Sequence, residues 1–140
     1  MWFKNLTLFR LTRPFELEHD ALDEALQGAA FQPCGKSTPF SYGWARPLGR
    51  HGEQLVHTVG NYSMICARKE ERILPGAVVN EQLAEKIEEI EQAEARPVGR
   101  KERQQLKEEL TQTLLPQAFT RSTTTYAYID RNNRWLVVDS

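Results

Sequence analysis

Residues 2–11 (WFKNLTLFRL) alternate with a period of two: Trp2, Lys4, Leu6, Leu8 and Arg10 share one side, and Phe3, Asn5, Thr7, Phe9 and Leu11 share the other. That period predicts a β-strand, which Thr12, Arg13 and Pro14 end. Over 16–29 the spacing lengthens to that of a helix, with Leu17, Ala21, Leu22, Ala25, Leu26 and Ala29 as the apolar stripe and Gly28 and Pro33 as limits. Residues 33–54 carry Pro33, Gly35, Pro39, Gly43, Pro47, Gly49 and Gly52, so this stretch reads as loop with a short extended piece near Phe40–Ala45. Leu55–Val59 and Tyr62–Arg68 flank Gly60-Asn61, a two-residue turn of the kind that closes hairpins. The RKEER run at 68–72 reads as a charged exit from that second strand, stopped by Ile73-Leu74-Pro75-Gly76.

A long helical pattern follows. From Ala77 to Ala95, Val79, Leu83, Ile87 and Ile90 recur at three- and four-residue steps. Pro97 and Gly99 break it. Arg100–Leu115 then places Leu106, Leu110 and Leu114 at steps of four, and Pro116 closes the helix. Both polar faces are heavily charged and both apolar stripes narrow, so the helices are expected to pair with each other, each about 25 Å long at ~1.5 Å per residue. Thr123–Ile129 and Arg134–Val138, around Asp130-Arg131-Asn132-Asn133, read as a second β-hairpin. The order predicts an α+β fold: an antiparallel sheet with one packed helix and a projecting two-helix hairpin. Residues 1–75 and 116–140 are expected to form the body, with 76–115 as the hairpin inserted in the same domain.

Composition narrows the class without choosing a function. At 140 residues, 40% hydrophobic and 26% charged, the chain suits one globular domain. It has no apolar run of membrane-spanning length and no signal-peptide pattern at its start. Cys34 and Cys66 are the only cysteines. A cytoplasmic protein with reduced thiols is expected. The net charge of −1 gives no global case for nucleic acid. Its distribution matters more: Glu81–Glu94 is acidic, whereas Arg96, Arg100, Lys101 and Arg103 gather at the bend between the helices. Such clusters are either solvated helix faces or phosphate contacts, since Lys and Arg neutralise phosphates and release counterions. Arg68, Lys69 and Arg72 form a second basic group, diluted by Glu70 and Glu71, and are a second set of candidate DNA contacts, the alternative being strand-end solubility or internal pairing.

The remaining chemistry is sparse. His19, His51, His57, Cys34 and Cys66 lack paired metal-ligand spacing, so neither metal nor cofactor is expected. A Cys66–His57 pair has no activating motif around it. Gly49-Arg50-His51-Gly52-Glu53 lacks the spacing of a phosphate loop. The reading is therefore non-enzymatic. The aromatics Trp2, Phe3, Trp44, Tyr62, Tyr126, Tyr128 and Trp135 are either core or base-stacking platforms. Phe119 is either a cap on the core or an anchor for a second subunit.

Several strings are more specific: Trp2-Phe3-Lys4-Asn5-Leu6, Phe31-x-Pro33-Cys34-Gly35, Gly43-Trp44, the run Ile65-Cys66-Ala67-Arg68-Lys69-Glu70-Glu71-Arg72-Ile73-Leu74-Pro75, and Leu114-Leu115-Pro116-Gln117-Ala118-Phe119. In this order and spacing the chain resembles the amino-terminal part of the RdgC family of recombination-associated proteins. The resemblance implies a nucleoid-associated, ring-shaped homodimer that binds DNA with little sequence preference and restrains the RecA recombinase. It raises phosphate contact for the basic bend and a partner contact for Phe119. Family members continue past the position matching Ser140, and that part supplies some of the ring and a dimer contact. The alternative is a protein-interaction and dimerisation module whose DNA contacts lie in that carboxy-terminal part.

Overall fold

The computed structural model describes residues 3–140, so the amino-terminal Trp2, part of the first predicted strand, lies outside the described residues. The fold is α+β, as the periodicities predict, with an antiparallel sheet of six strands and three α-helices. Two compact units share the chain. The first comprises 1–33, 41–70 and 122–140; the second comprises 34–40 and 71–121.

In the first unit, β1 (Leu6–Arg10) pairs antiparallel with β6 (Trp135–Asp139), Leu8 opposite Val137. It is shorter than the alternation suggests and lies at an edge of the sheet, leaving Leu6, Leu8 and Phe9 about half exposed. Helix α1 (His19–Gln27) buries Leu22 and Leu26, one turn apart, against Leu55, Val56, Ile65, Ala127 and Ile129. Leu17 stays exposed because the helix starts only at His19. The backbone N–H of Leu55 donates to the Asp23 carboxylate (2.7 Å) and ties the helix to the approach to β3 (Val56–Val59). β3 turns at Gly60, whose φ of 60° suits glycine, into β4 (Tyr62–Ile73).

The charged segment 68–72 belongs to β4 rather than to an exit from it. With β2 (Phe40–Ala45) and β5 (Phe119–Asp130), the sheet order is β1-β6-β5-β4-β2, and β3 also pairs with β4, so partners on β4 satisfy a backbone that local composition alone would leave as coil. The turn from β5 to β6 is held by Asp130, which accepts from the Asn133 backbone N–H (3.1 Å) and side-chain amide (2.9 Å). These bonds hold the Asp130 carboxyl below its ordinary range.

In the second unit, α2 (Gly76–Glu94) and α3 (Arg100–Leu114) pack through Val79, Leu83 and Leu110, flanked by Leu74, Ile87, Leu106 and Leu114. This is the stripe the spacing predicts, save that Ile90 stands outside the cluster. Ala95 ends α2 in the left-handed conformation (φ 52°), and Pro97 cannot continue the helix. The Glu91 carboxylate accepts from the Val98 backbone N–H (3.1 Å), steadying the bend. A short 3₁₀ turn, Leu115–Gln117, then leads into β5.

Candidate nucleic-acid interface

The basic residues predicted at the bend separate into two roles. Arg96 is engaged: its guanidinium makes two bonds to Glu102 (2.7 and 2.9 Å) and an ion pair with Glu94. The Glu102 bond, with Glu94 assisting, raises the Arg96 pKa, and the same bond lowers that of Glu102. This fork–fork pairing ties the end of α2 to the first turn of α3. Arg96 therefore closes the bend rather than offering a free charge.

Arg100, Lys101 and Arg103 differ. All are exposed, and with Lys107 they line a concavity of about 930 Å³ along α3, which Gln104 and Gln105 also edge. Glu108 is the one acid lining it. Helical geometry explains the grouping: 100, 103, 104 and 107 recur at three- and four-residue steps and fall along one side of the helix. Lys107 lies outside the basic run 96–103, and the seven-residue spacing from Arg100 is the signal that finds it. Four flexible cations flanked by amide donors suit a polyanion whose charges repeat along a line.

The second basic group makes contacts within the protein. The Arg72 guanidinium donates to the carbonyl oxygens of Gly35 (3.1 Å) and Ala118 (3.2 Å). Arg68 lies 4.6 Å over the Phe31 ring and donates to Ser122 Oγ (3.0 Å). Lys69 sits 5.5 Å over the Tyr42 ring. Phe119, at the start of β5, is 86% exposed, which removes the reading as a core cap.

Two groups able to do covalent chemistry, Cys66 and His19, are held within the fold. Cys66 is buried, and burial pushes its thiol pKa up, away from a reactive thiolate. His19 bonds through both nitrogens, to Thr58 Oγ1 (2.8 Å) and Gln54 Oε1 (2.6 Å). Thr58 continues to Ser63 (3.0 Å), which is wholly buried and accepts from Arg131. His57 lies beside Val59, Tyr62, Met64 and Tyr128, apart from this chain of bonds. Among the described residues, no group of three or more His, Cys, Asp or Glu side chains could hold a metal, and no helix is long and apolar enough to cross a membrane.

Fold and site together define an α+β protein with an exposed cationic helical face. The family model described as "Putative exonuclease, RdgC" matches residues 1–140. The chain is 49% identical to the recombination-associated protein RdgC of Tolumonas auensis and 49% identical to that of Aeromonas hydrophila subsp. hydrophila. It is 46% identical to the protein of the same name from Shewanella denitrificans. Each match covers all of this chain and 46% of the relative, so the chain spans about half the length of the curated relatives it matches. The chain belongs to the RdgC family.

Proposed function

We propose that this chain binds DNA without sequence preference in recombination and replication, at the nucleoid in the cytoplasm, and catalyses no reaction on it. The single observation that carries this is the exposed cationic strip of Arg100, Lys101, Arg103 and Lys107 on α3. Such a strip reads phosphate spacing rather than base identity. The relatives' name as recombination-associated proteins supports the setting. The ring-shaped homodimer and the restraint of RecA come from the family resemblance, and concern the longer polypeptide of which these relatives are examples. The non-catalytic reading draws support from the buried Cys66 and Ser63 and from the hydrogen-bonded His19.

The test is a salt titration on duplexes of mixed sequence. With four phosphates neutralised, log K should fall against log salt with a slope of about −3.6, and Arg100→Glu/Lys101→Glu should bring it to about −1.8. The loss should be equal across sequences. An unchanged slope would remove α3 from the interface, and release of nucleotides from end-labelled DNA in Mg²⁺ or Mn²⁺ would overturn the non-catalytic part.

A second role has its own observation. Phe119 is the most exposed of the large hydrophobic residues in the described chain, and an aromatic so placed suits an anchor in a partner subunit. Self-association through Phe119 is compatible with DNA binding through α3, because the two use different residues.

A further inference from the structure

Two strings stand outside the DNA-binding strip: Phe31, which opens the turn to Pro33, and Gly43-Trp44. They meet in the first unit. Phe31 N–H donates to Trp44 O (2.9 Å) and Trp44 N–H to Ala29 O (3.0 Å), so the segment after α1 joins β2 through a parallel bridge. The approach is so close that a Cβ at position 43 would stand 2.3 Å from Phe31 Cα. Only glycine permits it. Phe31 and Trp44, the latter partly packed against the core of this unit, line with Tyr126 of β5 a cleft of about 610 Å³.

Charge in that cleft is lopsided. Arg46, Arg50 and Arg68 line it against the single acid Glu53. Arg68 is fixed in place, stacked on Phe31, bonded to Ser122 and ion-paired with Glu70 (3.8 Å), with its Nε buried and without a hydrogen bond among the described residues, so the uncompensated charge is that of Arg46 and Arg50. Arg46 and Arg50 are exposed on the segment between β2 and β3. Aromatic surface joined to several guanidinium groups selects a ligand that is planar at one end and anionic at the other. The volume falls within the range of small-ligand pockets.

We propose that this cleft holds one unpaired nucleotide, with its base against the rings and its phosphate on Arg46 and Arg50. Bases inside a duplex have their faces covered by stacking, so the ligand is a free nucleotide or a nucleotide of a single strand. This inference goes beyond DNA binding by α3 and rests on separate residues.

The experiment titrates the full chain with dTMP, an oligo-dT, inorganic phosphate and a blunt duplex. The parent is compared with Arg46→Ala/Arg50→Ala, both exposed positions, and with Trp44→Phe, which keeps a ring. The alanine pair should weaken dTMP and oligo-dT by about tenfold or more and leave the blunt duplex within about twofold. Loss confined to oligo-dT also supports the site and assigns its ligand to a strand; loss confined to dTMP assigns it to the free nucleotide. Unchanged affinity for both in the alanine pair would overturn the proposal. So would inorganic phosphate binding as tightly as dTMP, which would mean that the rings recognise nothing. Arg100→Glu/Lys101→Glu separates the two readings: it should weaken the duplex and spare dTMP, and its failure would count against the α3 interface alone.

Discussion

Leu83 is 1% exposed and sits at the centre of a hairpin whose fully packed core is Val79, Leu83 and Leu110. Replacing it with alanine deletes an isopropyl group from that contact. At ~0.8 kcal/mol per buried carbon the transfer loss is about 2.4 kcal/mol. The cavity left behind raises the cost to roughly 3–5 kcal/mol, since two helices can close over it only in part. So large a share of a small core matters here. α2 has 19 residues and α3 has 15, and isolated helices near ~12–15 residues are marginal in water, so α3 depends on its packing. Leu83→Ala should therefore melt the hairpin before the first unit, whose core is built from other residues. Amide hydrogen exchange resolved by residue is the assay. Protection should collapse across α2 and α3 while β3 and β6 keep theirs, and Leu83→Met, which conserves volume, should lose less than about 1.5 kcal/mol. Full protection of the α3 amides in the alanine variant would refute the claim that this narrow stripe holds the hairpin together. DNA affinity should fall with the helix, because Arg100, Arg103 and Lys107 share a face only while α3 is folded.

Phe119→Ala should reduce concentration-dependent self-association, read by sedimentation, without lowering the melting temperature, because the ring is exposed in the chain itself; unchanged association would remove Phe119 from the self-association surface. Asp130 supplies a pH dependence. Its folded pKa lies below the ordinary 3.8 through bonds from Asn133, so its contribution is complete above that pH and is lost as pH falls through the lowered folded value. Melting curves between about pH 6 and pH 2.5 should therefore drop more for the parent than for Asp130→Asn, most of the difference arising below about pH 4. Parallel curves would show that the turn gains nothing from the ionised carboxylate.

Sequence alone determined the elements whose signal is local. The four-residue steps of Leu106, Leu110 and Leu114 defined α3 and its buried side, because helix geometry maps spacing directly onto a face. Gly60-Asn61 located the β3–β4 turn, since few residues accept a positive φ there. The long strings pointed to the RdgC family by their identity rather than by any physical period. Tertiary structure decided what depends on partners remote in the chain. The RKEER segment became part of β4 because strands on both sides satisfy its backbone, against its composition. Arg96 and Arg100 are equivalent as letters, yet Glu94 and Glu102 hold one while the other faces the concavity on α3. Arg72 is likewise spent on two backbone carbonyls. The aromatic and basic cleft was invisible in the sequence, because Phe31, Trp44, Arg68 and Tyr126 meet only when the segment after α1 crosses Gly43. A charge or a ring acquires its role from its neighbours, and those neighbours are chosen by sheet order and packing rather than by position along the chain.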